Sequence, residues 1–178
     1  KKLMKLSGGF KRRLSIAMSL INEPELLILD EPTTGLDPAV RHALWSKIRS
    51  LKGDGKTILL TTHYMDEAER LCDQVMIING GKAIRQGPPR QLIADELHPD
   101  ALEFDCSAEE ERRLLGTADD MVKLRSGDRL MVFAREPDGV LSALQQLDGG
   151  NRRPVIQRPA NLEDVFLAVT GTQLGDEL

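Results

Sequence analysis

Leu26-Leu27-Ile28-Leu29-Asp30-Glu31-Pro32-Thr33-Thr34-Gly35-Leu36-Asp37-Pro38 is the stretch from which the rest of the chain is read. Four aliphatic residues in a row predict a strand buried on both faces, as in a parallel sheet. Asp37-Pro38 marks a helix start, with Asp at the N-cap and Pro at the first helical position. In open parallel sheets ligands bind at the carboxyl ends of strands, so Asp30 and Glu31 stand where acidic side chains act. Adjacent carboxylates repel unless a cation or partner offsets their charge. One could hold Mg²⁺, usually through water, and the other could polarise a water for attack on phosphorus. An acidic loop after a strand is the plainer alternative.

Upstream, Phe10, Leu14, Ala17, Met18 and Ile21 recur at helical spacing, with Lys11, Arg12 and Arg13 on the other side. This predicts a helix starting just after Gly9 and ended by Pro24. Downstream, Val40, Leu44, Ile48 and Leu51 mark the buried stripe of the helix that Asp37 opens, and Gly53 and Gly55 end it. Thr57 to Thr61 reads as a second buried strand, and Met65 to Cys72 as a short charged helix. Val75 to Ile78 and Lys82 to Arg85 read as a hairpin, with Asn79-Gly80 supplying the turn. Alternating strands and helices up to about Ile78 mean a parallel sheet with helices on its faces, an α/β architecture.

Gly87-Pro88-Pro89 is the strongest punctuation in the chain. After the short amphipathic stretch Arg90 to Asp95 the pattern restarts. We read strand Ala101 to Asp105, helix Ala108 to Leu115, strand Met121 to Arg125 and strand Arg129 to Ala134. Helix Gly139 to Leu147, strand Pro154 to Gln157 and helix Leu162 to Val169, capped by Asn161, complete it. The order βαββαβ is that of a ferredoxin-like unit, a small α+β domain.

The chain has 178 residues and a net charge of −4, from 24 basic and 28 acidic residues that are interspersed. That balance argues against bulk attraction to nucleic acid or anionic lipid. Aromatics are only 3% of the chain, too few for a set of base-stacking platforms. The apolar runs, such as Leu26 to Leu29, are all far too short to cross a bilayer. Cys72 and Cys106 lack metal-site spacing and a disulfide-rich context, and read as reduced structural cysteines. The expectation is a soluble cytoplasmic segment. Because a functional motif lies only a few residues after Lys1, the chain also reads as a fragment.

Two further segments bear on chemistry. Thr61-Thr62-His63 ends the second predicted strand, so His63 would share the sheet edge with Glu31. Leu6-Ser7-Gly8-Gly9 precedes the first helix: Ser7 can cap it, and the two glycines let backbone N–H groups approach an anion at the helix N-terminus. Each of these elements alone is ambiguous; an ordinary Ser-Gly turn, an incidental His and a capping Asp37 are all common.

Their order is decisive. Leu6 to Gly9, Leu26 to Pro32, Gly35-Leu36-Asp37 and His63 resemble, in sequence, four motifs of the ATP-binding-cassette (ABC) ATPases. These are the signature, the Walker B strand with its catalytic glutamate, the D-loop and the switch histidine. The resemblance covers about the first 90 residues and implies the second half of an ABC-type P-loop NTPase domain. It implies ATP and Mg²⁺ as cofactors, Asp30 on the Mg²⁺ shell, Glu31 as base for the attacking water and His63 on the γ-phosphate. It places Asp37 at a dimer seam, with Ser7, Gly8 and Gly9 touching the γ-phosphate held by the other subunit. Phe10 stands where the family usually has Gln. No G-x-x-x-x-G-K-[ST] and no glutamine loop occur in these 178 residues, so the isolated chain is expected to bind ATP poorly.

Phe10 to Ser15, Asp30 to Pro38 and the tail Arg158 to Leu167 are similar to the exporter branch that includes drug-resistance and nodulation-factor ATPases. The residues themselves read the tail as a capped amphipathic helix packing Leu162, Val165, Phe166 and Val169. The resulting division is a partial ATPase domain over 1–89, a linker over 90–100 and an accessory or regulatory domain over 101–178. The implied partners are a second ATP-binding subunit, paired head-to-tail, and a transmembrane permease, with no nucleic acid. The implied location is the cytoplasmic face of a bacterial-type membrane. The alternatives are a soluble ABC ATPase acting on ribosomes or DNA, and a non-hydrolysing interaction module.

Overall fold

The computed structural model describes residues 8–115, 121–149 and 153–171. The chain divides into two compact units, Lys1–Leu71 and Cys72–Leu178, ahead of the Gly87-Pro88-Pro89 punctuation.

The first unit runs α1 (Gly8–Ser19), β1 (Leu26–Asp30), α2 (Pro38–Gly53), β2 (Thr57–Thr61) and α3 (Met65–Leu71). Strands β1 and β2 pair in parallel, in a register that sets Leu26 opposite Thr57 and Asp30 opposite Thr61. The two strands therefore end level, and whatever follows Asp30 and Thr61 emerges side by side. Helix α2 begins as its sequence demands. Asp37 is extended (φ −65°, ψ 157°) and its carboxylate accepts from the Val40 N–H at 3.0 Å. Capping of this kind stabilises a helix by about 1 kcal/mol. Leu44, Trp45, Ile48 and Leu51 form the buried stripe of α2.

Burial departs from the sequence reading in two places. The expected two-sided burial of both strands is not found: Leu27 and Leu29 are buried, but Leu26, Ile28 and Leu59 are more than half exposed. One face of this two-stranded ribbon is open, and alternation along a strand then exposes every second aliphatic residue. The expected apolar stripe of α1 is also displaced. Phe10, Met18 and Ile21 are exposed, whereas Ile16 is buried. Arg12, expected on the outer side, turns inward and donates to the Thr34 carbonyl at 2.6 Å. The inward face carries Gly9, Arg12 and Ile16.

The second unit opens with β3 (Val75–Asn79), β4 (Lys82–Gly87) and α4 (Pro89–Glu96). β3 does not continue the parallel sheet; it pairs antiparallel with β4. Asn79 pairs with Lys82, so the turn residues are Gly80 and Gly81, both at positive φ, rather than Asn79-Gly80. A two-residue turn with both residues left-handed matches the twist of its strands.

Then come β5 (Asp100–Asp105), α5 (Ala108–Leu115), β6 (Met121–Ser126), β7 (Arg129–Ala134), α6 (Pro137–Leu147), β8 (Ile156–Pro159) and α7 (Leu162–Thr170). The sheet order is β6-β7-β5-β8 with every pairing antiparallel. This is the ferredoxin-like arrangement anticipated from βαββαβ. On one sheet face Leu102, Phe104, Leu130, Val132 and Ala134 pack with Val140 and Leu144 of α6. Burying side chains of this size contributes roughly 2 kcal/mol each. The opposite face holds fully buried Ala101 and Phe133 and is covered by α7, which also packs on α4.

Ion pairs centred on Arg158 and Arg153 are among those that fasten this unit. Arg158 grips the buried Asp164 bidentately, Nη1 to Oδ2 at 2.7 Å and Nη2 to Oδ1 at 2.8 Å, and also pairs with Glu103. Asp164 Oδ2 accepts from the Asn161 N–H while Asn161 Oδ1 accepts from the Asp164 N–H, a closed capping box at the start of α7. On the other face, Arg153 bridges Asp148 and Glu110 and donates to the Asp105 carbonyl at 2.8 Å.

Arg153, with the Ser107 N–H and hydroxyl, holds the Glu110 carboxyl down at about 2 from its ordinary 4.5, and Arg153 also lowers Asp148. A carboxyl whose folded value is depressed stabilises the fold above its unfolded value, and that contribution is lost as pH falls through the folded value. Urea unfolding of the chain should therefore show stability declining from about pH 4.5 towards pH 2. Arg153→Ala should flatten much of that slope; an unchanged slope would show that other carboxylates carry it.

Candidate active site

The level ends of β1 and β2 bring together residues 30 apart in sequence. Asp30 is the last residue of β1, and the Thr61 hydroxyl opposite donates to its Oδ1. Glu31 follows with φ of +42°, a left-handed conformation that residues with a Cβ rarely adopt. Such a conformation costs on the order of 1 kcal/mol and persists only where surrounding bonds enforce it. Here the Glu31 N–H donates to the Thr61 carbonyl at 3.0 Å and to the Thr61 hydroxyl at 3.2 Å. Its carboxylate is held from both sides. The Thr34 hydroxyl donates to Oε2 at 3.0 Å, and His63 Nδ1 lies 3.3 Å from Oε1.

Both Glu31 and His63 keep about half of their side-chain surface open, so the pair is accessible to a substrate. The contact is a hydrogen bond when Nδ1 carries its proton and an ion pair when the imidazole is charged. His63 is steadied by the Tyr64 ring, 4.2 Å away between centroids, and the Arg41 guanidinium lies 4.5 Å from that same ring.

The predicted site residues thus fall into two groups. Asp30, Glu31 and His63 are together at one sheet edge. Asp37 caps α2 six residues further along the loop. Gly8 and Gly9 open α1, and Ser7 lies outside the described residues. Gly9 sits against the Asp37 loop: a Cβ built on it would lie 3.0 Å from Leu36 Cδ2, a distance that requires Leu36 to give way. With the Arg12–Thr34 bond, this ties the start of α1 to the loop after Glu31. Thr34 and Thr61 were not singled out from sequence as site residues. Only the parallel register, with a hydroxyl residue level with Asp30, could have signalled Thr61.

Among the described residues no group of three or more His, Cys, Asp or Glu is assembled to hold a metal. Asp30 offers one carboxylate, which fits Mg²⁺, an ion that keeps several waters and takes one or two carboxylates together with substrate phosphates. No described helix is long and apolar enough to cross a membrane.

Residues 1–34 match the family model described as "ABC transporter", and residues 109–171 match "Nodulation factor export protein NodI, C-terminal domain". The Nod factor export ATP-binding protein I of Ralstonia nicotianae is 47% identical over 175 residues, 96% of this chain and 54% of that protein. The protein of the same name from Rhizobium etli is 45% identical, covering 97% of this chain and 54% of its own. The chain spans about half the length of the curated relatives it matches. In motifs, site geometry and near-complete coverage of its own length, the chain is similar to the ATP-binding proteins of ABC transporters.

Proposed function

We propose that this chain is the catalytic C-terminal part of an ATP-hydrolysing subunit that drives export through a separate membrane permease. The observation that carries the reading is the Glu31–His63 pair, 3.3 Å apart at the aligned ends of two parallel strands. Glu31 acts as base for the attacking water, His63 contacts the γ-phosphate, and Asp30 stands on the shell of Mg²⁺ bound with ATP. Ser7, Gly8 and Gly9 serve the nucleotide held by a second copy paired head-to-tail, and Asp37 lies at that seam. The hydrolytic parts lie within residues 1–71, and residues 101–178 form an accessory domain. The subunit works at the cytoplasmic face of the membrane. Relatives named for Nod factor export favour an export role over action on ribosomes or DNA.

The test is His63→Ala in the full-length subunit. ATP turnover should fall at least about tenfold, the scale of losing a group that contacts the transferred phosphoryl. Turnover near the parent level would remove the reading.

A further inference from the structure

Glu67 is fully buried on α3, a place where a charged side chain is costly unless it is paired. Trp45 Nε1, itself on a residue 97% buried, donates to its Oε1 at 2.9 Å, while Oε2 has no hydrogen-bond partner among the described residues. A leucine at position 67 would fill this space at lower cost in desolvation. What the polar pair adds is direction: a hydrogen bond fixes the rotation and height of α3 against α2, whereas apolar packing tolerates sliding.

That orientation is transmitted to His63 within one turn of chain. The Glu67 and Ala68 N–H groups donate to the Tyr64 carbonyl at 3.1 and 3.3 Å, and the Tyr64 N–H donates to the Thr62 hydroxyl at 3.0 Å. The Tyr64 ring touches both His63 and Arg41. Arg41 and Trp45 are spaced by four along α2 and therefore share a face. We propose that Trp45 and Glu67 are a positioning pair that sets where His63 stands against Glu31. This rests on the reading of Glu31 and His63 as the hydrolytic pair.

The experiment uses the full-length subunit, with kcat, KM for ATP and melting temperature measured for each variant. Trp45→Phe keeps a ring but removes the donor, and should lower kcat about tenfold with KM unchanged, the scale expected of a small misplacement. Glu67→Gln keeps an oxygen that accepts from Trp45 and should hold kcat within about twofold. The double variant Trp45→Phe with Glu67→Met has no orphaned carboxylate. It should regain melting temperature while kcat stays about tenfold low, because the directional bond is still missing. Ile48→Val, buried on the same helix, should lose stability and keep kcat. Parent-level kcat in folded Trp45→Phe or in the double variant overturns the proposal. So does a tenfold loss in Glu67→Gln, which is near-isosteric and remains decisive if the Trp45 variants do not fold. Glu31→Gln in the same series separates the two ideas. If it retains turnover, the catalytic reading itself fails; if it is inactive while Trp45→Phe is normal, only the positioning role fails.

Discussion

Glu31→Gln should lower ATP turnover of the full-length subunit by at least about a hundredfold, the usual lower range for loss of a general base. The substitution is nearly isosteric and spares the scaffold. The backbone bonds from residue 31 to Thr61 do not involve the side chain, and a glutamine carbonyl can still accept from Thr34 at the 3.0 Å position. Stability should stay within about 0.5 kcal/mol of the parent. What is lost is the carboxylate's ability to take a proton from water, together with its charge and its second acceptor toward His63. Because chemistry is blocked and binding is not, ATP-dependent pairing of subunits should persist, and should last longer because the trapped nucleotide is not consumed. Phosphate release and size-exclusion chromatography with ATP and Mg²⁺ measure the two halves of this expectation. Near-normal release would end the assignment of Glu31.

Asp164→Ala should produce the largest loss of stability, about 3 kcal/mol, the cost of removing one partner from a buried charge pair. Asp164 is 1% exposed and serves two structures at once. It receives both terminal nitrogens of Arg158, and it accepts from the Asn161 N–H at 2.9 Å to start α7. Alanine leaves the Arg158 guanidinium half-buried with Glu103 as its remaining acidic partner, and strips the capping box from the helix. Asp164→Asn should fall between alanine and the parent, since the amide oxygen still accepts. Glu163→Ala, one residue away and exposed, should change stability by no more than about 0.5 kcal/mol. Urea unfolding of the chain reads all three. Equal midpoints for Asp164→Ala and Glu163→Ala would show that the pair contributes nothing net.

The parts legible in the sequence were those governed by local chemistry. Asp37-Pro38 announces a helix start wherever it occurs, and the alternation over 101–171 fixes a βαββαβ order that the sheet then realises. Asp30, Glu31 and His63 were legible because each closes a predicted strand, and parallel strands of one sheet present their ends on one edge. Less legible was anything decided by what lies opposite. Phe10, Met18 and Ile21 have helical spacing, but spacing cannot say which side of a helix is covered, and the structure covers Ile16 and Arg12 instead. Leu26, Ile28 and Leu59 were read as buried from composition alone, while burial needs a second layer. The Arg158–Asp164 pair was hidden because its members belong to different elements, a strand and a helix, and meet only once the turn at Pro159-Ala160-Asn161 has formed.

The register that sets Asp30 beside Thr61 also has a bearing on how this site can change over time. Glu31 is pinned to Thr61 by backbone bonds across the ladder, not by the length of chain that connects them. Insertions or deletions at the far end of α2, near Gly53 and Gly55, can therefore accumulate without altering the spacing between Glu31 and His63. A shift of a single residue in the ladder would turn every side chain of one strand to the other face and separate the pair at once. The site is thus indifferent to the length of its connection and intolerant of slippage, so sequence drift can be absorbed at the end of the molecule away from the chemistry.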